Sequence, residues 1–271
     1  MNRIKHIVAG LLASALVLVL PQAQAQSEPI TIDLSQPDQP VSFKLGMLSA
    51  NIQVIGERRK DITLEVDGSK SGQRIVTPSG SQPISAGSYR LSVTEDNNEV
   101  KVSSSWNRST LDIVARVPMD ASLDLWTTND GTIVVRDVTG EMQLQNTNGP
   151  ITVYGAGGAV IAESTNEDIV VGFAELRKDT ASSLTSINGD LTVVLPDQPK
   201  AQLHIDTTRG EIVSDFEIEV LPSETKVSRK NENGTIEIAV ENLIIANVNG
   251  GGPVIRLKTF NGDIDINAEM R

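Results

Sequence analysis

Acidic residues at matching offsets are the first candidates for chemistry in this sequence. Asp168, Asp190 and Glu211 each come one residue after the centre of a polar turn, and Asp263 does so in a later turn. If the turns stack as neighbouring strands, these carboxylates lie about 5 Å apart. Such a spacing suits a shared cation such as calcium, or the acid and nucleophile of a retaining glycosidase.

A structural role explains these carboxylates better. Turns favour polar residues, and acidic side chains keep exposed strand edges soluble. The calcium-binding nonapeptide G-G-x-G-x-D is absent from the sequence. We therefore expect no catalytic residue, no metal and no cofactor, and keep Asp168, Asp190 and Glu211 as the calcium candidates.

Aromatic residues make up only 3% of the chain. Trp126 and Tyr154 fall at positions predicted to point outward, and Trp106 is a third ring of interest. An exposed ring on a β-surface can stack on a glycan or contact a partner, but it can also simply cover a groove. Trp126 and Tyr154 are the ligand-binding candidates, for a ligand that the sequence does not identify.

Several classes of function are excluded. The chain has no cysteine, which removes disulfides, thiolate nucleophiles and cysteine-based metal sites. His204 lies between two residues predicted to face inward, so we expect it on the surface without a second ligand. The 23 basic and 35 acidic residues give a net charge of −12, which argues against nucleic acid as a partner.

Residues 1–25 have the features of a secretory signal peptide. Arg3 and Lys5 precede an apolar stretch from Ile7 to Leu20, and the segment ends in Ala23-Gln24-Ala25. Fourteen helical residues span about 21 Å, less than the roughly 30 Å of a bilayer core. We expect cleavage, export to the periplasm or cell surface, and no transmembrane segment in the mature chain.

Internal repetition predicts the fold. Six segments combine a polar turn with alternating apolar residues on both sides: 127–135, 146–153, 164–171, 186–193, 207–213 and 259–266. A weaker copy covers residues 233–238. Each unit is too short to enclose a core, so like positions are expected to stack coil upon coil.

This pattern predicts an all-β protein, a single-stranded parallel β-solenoid with an N-terminal β cap. Ile133, Ile151, Ile169 and Leu191 should then form one buried column. The alternative is a β-sandwich of antiparallel hairpins, which would use the same Asn-Gly turns. A second column should contain polar residues bonded between coils or to turn amides: Thr127, Asn146, Ser164, Ser186, Thr207 and Thr259.

The region before the repeats is less regular. Residues 26–110 are predicted to form the N-terminal β cap and first coils, including a hairpin across 89–104, and residues 111–271 the continuous repeats. Caps are expected because an open strand edge recruits other chains.

The repeats resemble the bacterial exported "putative adhesin" family of unknown function. The resemblance covers about Phe43 to Ile266 and is carried by these residues: the corner Val117 to Leu123, the turns at Gly131, Gly149, Gly189 and Gly210, and the final coil from Gly251 to Ile266. Glu167 and Arg209 depart from the family pattern, which has Gly and Asn there. The resemblance implies a β-solenoid and an envelope or surface role, and it offers no catalytic residues.

We therefore expect an exported, non-catalytic, adhesin-like binding or structural protein of the cell envelope. Its partner would be an envelope protein or a surface polymer, and its faces or ends could support oligomers. The alternative is a glycan-active β-helix enzyme, a hydrolase or lyase, that uses the stacked carboxylates.

Overall fold

The computed structural model describes residues 29–67, 91–104, 110–222, 226–232, 235–241 and 243–269. These residues form strands and connecting segments with no helix among them, so they contain no helix that could cross a membrane. The predicted leader at residues 1–25 and the side chain of Trp106 lie outside the described residues.

Most strands alternate buried and more exposed residues, as the sequence period of two requires. In chain order the described strands are β1 (Ile30–Asp33), β2 (Ser42–Met47), β3 (Ala50–Glu57), β4 (Asp61–Asp67), β5 (Leu91–Asp96), β6 (Glu99–Ser104), β7 (Leu111–Pro118), β8 (Ser122–Thr127), β9 (Ile133–Arg136), β10 (Met142–Asn146), β11 (Ile151–Ala156), β12 (Val160–Ser164), β13 (Ile169–Phe173), β14 (Ser182–Thr185), β15 (Leu191–Val194), β16 (Ala201–Arg209), β17 (Ile212–Ser214), β18 (Ile218–Leu221), β19 (Lys226–Glu232), β20 (Thr235–Glu241), β21 (Ile244–Val248), β22 (Val254–Asn261) and β23 (Ile264–Asn267).

Within the described ranges, two large sheets face each other across one apolar core. The ten-stranded sheet has the order β1-β4-β7-β3-β9-β11-β13-β15-β23-β17, and the eleven-stranded sheet has the order β18-β21-β16-β22-β14-β12-β10-β8-β2-β6-β5. Strands β19 and β20 pair only with each other. Each coil contributes one strand to each large sheet, for example β10 and then β11.

The predicted apolar column is confirmed. Ile133, Ile151, Ile169 and Leu191 are paired in register on adjacent parallel strands, and Ile264 continues the column. All five are fully buried. Because parallel pairing places the same offset of each coil above the next, the repeated aliphatic residues fill one continuous interior.

Turn glycines let the coils approach this closely. A Cβ on Gly149 would overlap the backbone carbonyl of Gly131 one coil away, and a Cβ on Gly189 would overlap that of Glu167. Side chains larger than hydrogen would push the coils apart at these points. The glycine in each turn therefore follows from coil spacing as well as from turn geometry.

The predicted polar column is also confirmed. Ser186 Oγ accepts the N–H of Gly189 at 3.0 Å and donates to the carbonyl of Glu167 at 3.3 Å. Thr259 Oγ1 donates to the carbonyl of Gly189 at 3.0 Å. Thr207 is half-buried and the other members are buried: Thr127, Asn146, Ser164, Ser186 and Thr259. These side chains satisfy turn groups of their own coil and of the next.

The sheets are mixed, whereas the repeat predicted purely parallel pairing. The stacked coils pair in parallel, but antiparallel pairs stand at the ends: β1 with β4, β4 with β7, β5 with β6, β16 with β21, and β18 with β21. End strands have no further coil to pair with, so the chain turns back on itself to cover their edges. Strands β2 and β3 belong to the parallel stack, below β8 and β9.

The last coil in the chain is not the last coil in the stack. Strands β22 and β23 lie between the coil β14–β15 and the coil β16–β17, through parallel pairs on both sides. The chain reaches this position because β21 runs antiparallel to β16 and then crosses over its start, where Asn249 Nδ2 donates to the carbonyl of Pro199 at 2.8 Å. The repeats predict coils stacked in the order of the chain. That prediction is wrong for the coils β16–β17 and β22–β23, which are exchanged in the stack.

The described part of the weaker copy at residues 233–238 does not add a coil to the stack. This part, from Thr235, belongs to β20 and pairs antiparallel with β19. Residues 233 and 234 lie outside the described residues. Alternation of apolar residues after Asn-Gly is common to a coil and to a hairpin, so the pattern alone could not separate them.

Truncating an inward aliphatic residue should destabilise the stack. Leu144 is fully buried between Leu125 and Ala162. We expect Leu144→Ala to lower the free energy of unfolding by about 2–5 kcal/mol because it leaves a cavity. Chemical denaturation measures this, and Gln143→Ala on the outward side of the same strand should change it by less than about 0.5 kcal/mol. Equal effects of the two variants would contradict the assignment of Leu144 to the core.

Candidate functional site

The post-turn carboxylates form one column, in a different order from that predicted. Asp168 Oδ1 accepts the N–H of Asp190 at 2.8 Å, and Asp190 Oδ1 accepts the N–H of Asp263 at 2.8 Å. Asp263 Oδ1 then accepts the N–H of Glu211 at 2.7 Å. Asp263 thus separates Asp190 from Glu211, because the final coil is inserted between them.

This bonding gives the carboxylates a structural task. Three of them each use one oxygen to accept the backbone N–H of the next coil, so they help to hold the turns in register. Their side chains are at the exposed turn edge of the stack. Among the described residues, no group of three or more histidine or acidic side chains is arranged to hold a metal ion.

A ladder of asparagine side chains runs beside this column. Asn166 Nδ2 donates to Asn148 Oδ1 at 2.7 Å, Asn188 Nδ2 to Asn166 Oδ1 at 3.0 Å, and Asn261 Nδ2 to Asn188 Oδ1 at 2.9 Å. The sequence pattern identifies these residues only as turn formers. Their identical offset before each turn was the signal for the ladder, since stacked asparagines pair their amides along such a column.

The two aromatic candidates lie on different sheets. Trp126 is on β8 of the eleven-stranded sheet and is 40% exposed. A Cβ on Gly46 would overlap its indole, so the ring lies against the backbone of the neighbouring strand. Tyr154 is on β11 of the ten-stranded sheet, with the guanidinium carbon of Arg136 4.0 Å from its ring centroid. The structure does not bring Trp126 and Tyr154 together.

Exposed apolar side chains are concentrated on one face. Eight large apolar residues of the described ranges are exposed, and three of these, Ile30, Val213 and Val220, lie on the end strands of the sheets. The other five belong to the outer face of the eleven-stranded sheet or to its border: Trp126, Ile161 and Phe260 lie on β8, β12 and β22, and Leu48 and Ile187 follow the ends of β2 and β14. The sequence does not predict this grouping, because it depends on which coil lies next to which.

His204 lies on the same outer face, beside Arg256 on β22. Its Nε2 atom is 3.1 Å from Oε1 of Gln202. Partial burial lowers the pKa of the His204 imidazole, and the positive charge of Arg256 lowers it further. The side chain therefore prefers to be neutral in the folded protein.

A compact ion-pair cluster fastens the N-terminal end. Glu99 on β6 pairs with Lys101 and, at 2.8 Å, with Lys44 on β2. Hydrogen bonds from Lys101 and then Lys44 lower the pKa of Glu99 to about 2. In the adjoining turn, hydrogen bonds from Ser35 and then Asn98 lower the pKa of Glu95. These contacts join the β5–β6 hairpin to the first coil.

These features define an all-β stack of repeated two-strand coils, closed by antiparallel strands and carrying one partly apolar face. The chain belongs to the Toastrack DUF4097 family, which it matches over residues 120–267, more than half of its length. The function of that family is not known.

One solved structure is similar. It is a protein from Clostridium sporogenes ATCC 15579, described as "a putative cell adhesion protein", with 10% sequence identity and a TM-score of 0.48 over 89% of this chain and 98% of that one. No curated protein sequence matches this chain.

The bonding role of the carboxylate column can be separated from its charge. In Asp190→Asn the side-chain oxygen can still accept the N–H of Asp263, so we expect little change in the free energy of unfolding. Asp190→Ala loses the acceptor and should cost about 1 kcal/mol. Denaturation with and without calcium measures both effects. A calcium-dependent rise in the melting temperature that Asp190→Ala abolishes would instead indicate a cation site.

His204 should make stability depend on pH. Because its folded-state pKa lies below the ordinary value of 6.5, protonation favours the unfolded chain. Its contribution is therefore complete above pH 6.5 and is lost as the pH falls below that value. We expect His204→Gln to flatten the stability profile in this range relative to the unmodified chain, as measured by thermal unfolding from pH 7.5 down. Parallel profiles for the two proteins would contradict this expectation.

Proposed function

We propose that this chain is an exported, non-catalytic, adhesin-like binding or structural protein of the cell envelope, built as a β-solenoid of parallel coils closed by antiparallel ends. The single observation that carries the proposal is the grouping of Leu48, Trp126, Ile161, Ile187 and Phe260 on one outer sheet face. Soluble proteins rarely keep a concentrated set of large apolar side chains in water without a use for it.

The arrangement of the polar candidates supports a non-catalytic role. A glycan-active enzyme needs acids and aromatic rings that converge on one groove. Here the carboxylates of Asp168, Asp190 and Asp263 accept backbone N–H groups of the following coils. The rings of Trp126 and Tyr154 lie on opposite sheets.

Export is supported by the leader-like residues 1–25. A continuous parallel stack is extended and regular, and its outer faces are not needed to enclose the core. Such a scaffold suits contact with a large surface partner better than capture of a small molecule in a pocket.

Binding through the eleven-stranded face can be tested with a matched pair of charge insertions. Ile161 is 44% exposed on that face, and Val213 is 46% exposed on β17 of the other sheet. We expect the purified chain to co-sediment with an envelope fraction of the source cells. Ile161→Lys should weaken this binding by about tenfold or more because it places a charge on that face, whereas Val213→Lys should not.

The same preparation distinguishes the enzymatic alternative. Incubation with cell-wall and capsular polysaccharides should release neither reducing ends nor unsaturated sugars. Release that Asp190→Asn abolishes would contradict the proposal and favour a hydrolase or lyase. Equal co-sedimentation of the two lysine variants would contradict the choice of face.

A further inference from the structure

Six neighbouring residues form a continuous column along one border of the eleven-stranded sheet. We name this column the edge stripe, and it consists of Leu48, Thr128, Thr147, Thr165, Ile187 and Phe260. Backbone bonds between successive coils fix its order, for example from Asn166 N–H to the Thr147 carbonyl and from Asn261 N–H to the Ile187 carbonyl. Six strands at about 4.8 Å spacing make the edge stripe about 24 Å long.

The edge stripe contains no charged residue, although the chain carries a net charge of −12. Every member presents a methyl group, a larger aliphatic group or an aromatic ring. Ile187 is 49% exposed and Phe260 is 47% exposed, and they are adjacent. The guanidinium carbon of Arg209 lies 5.6 Å from the centroid of the Phe260 ring, so one cation borders the edge stripe at this end.

A second aromatic ring stands at the opposite end. Trp126 lies in the next column, two residues before Thr128 and close to Leu48, with its indole against Gly46. Because β8 and β22 are four strand spacings apart, the two aromatic platforms are separated by about 19 Å along the stack.

Hydrogen-bonding groups border the same column. Each side-chain amide of Asn166, Asn188 and Asn261 uses one of its two N–H donors in the asparagine ladder and keeps the other. Thr147 is exposed and Thr165 is partly exposed, so the hydroxyls of both residues can be reached by a ligand. The edge stripe therefore combines apolar surface with donors and acceptors at a regular spacing.

We propose that the edge stripe binds an extended, uncharged glycan, whose sugar rings stack on Trp126 and Phe260 while its hydroxyls bond to the intervening threonines and asparagine amides. This inference rests on the proposed function and names its ligand class and surface. Sugars present an apolar C–H face together with hydroxyls, which is the combination that the edge stripe offers.

Other occupants fit less well. An anionic polymer would lie beside the column that contains Asp168, Asp190 and Asp263 and would be repelled by it. An apolar peptide would leave amide donors without partners. A second copy would carry the same net charge, and a stripe one or two side chains wide falls well below the roughly 800 Å² per partner of a stable complex.

The test measures binding of defined oligosaccharides to the purified chain by isothermal titration calorimetry. The neutral probes are cellohexaose, chitohexaose and maltohexaose, and the anionic probes are a heparin hexasaccharide and an oligogalacturonate. We expect at least one neutral probe to bind and neither anionic probe to do so. Trp126→Ala and Phe260→Ala should each weaken binding by about tenfold or more.

Thr147→Lys places a charge in the middle of the edge stripe at an exposed position, so it should block binding without affecting folding. Val213→Ser, on the other sheet, is the control and should bind normally. Far-UV circular dichroism and the melting temperature establish that each variant is folded. Trp126→Phe keeps an aromatic platform and should recover part of the affinity lost in Trp126→Ala.

Each remaining outcome overturns the inference in a different way. If Trp126→Ala, Phe260→Ala and Thr147→Lys all bind a neutral probe as tightly as the unmodified chain does, the glycan binds elsewhere on the protein. No binding of any neutral probe, with co-sedimentation to the envelope fraction retained, would reject the glycan and leave the proposed function intact. A dimer that Thr147→Lys dissociates would make the edge stripe a contact between copies. If the unmodified chain binds neither a neutral probe nor the envelope fraction, both proposals are rejected.

Discussion

Parallel hydrogen bonding between successive coils is the constraint on which the rest of the structure depends. It fixes the spacing at one strand and places each residue directly above its equivalent in the coil below. Gly149 and Gly189 follow from this, because any side chain there would meet the carbonyl of the neighbouring turn. The same constraint selects aliphatic residues inside the coils, and at each turn a hydroxyl or amide that can satisfy turn groups.

Those consequences are local and periodic, and so the sequence alone could predict them. The aliphatic column through Ile133, Ile151 and Ile169 and the polar column with Ser186 and Thr259 both lie where their offsets indicated. A register error of one residue would have exchanged the inner and outer faces of a strand. Repetition over several coils made such an error improbable, since every copy would have had to be misread in the same direction.

The features that periodicity could not predict depend on the order of the coils. Nothing in the residues of β22 and β23 indicates that they enter between earlier coils, because every slot in a parallel stack offers nearly the same partners. The position of β22 and β23 in the stack is set by the connection over the start of β16, where Asn249 donates to the Pro199 carbonyl. The position of Asp263 between Asp190 and Glu211 follows from that crossing. So does the placement of Ile187 next to Phe260 on the neighbouring coil. Neither could be predicted from the repeat.

The fold places little constraint on the residues that point outward from the coils. A large apolar residue at such a position therefore needs an explanation other than the core or the turns. At the border of the eleven-stranded sheet, threonine occupies three consecutive coils, at Thr128, Thr147 and Thr165, without strain or unpaired burial. The next two coils carry Ile187 and Phe260 at the equivalent position, nearly half exposed. Neither residue encloses the core, and neither is demanded by turn geometry or coil spacing. A large apolar side chain at such a position incurs a hydration cost that threonine would avoid. Stacking of the coils alone therefore does not explain these two residues, and for this reason they form part of the proposed glycan-binding surface.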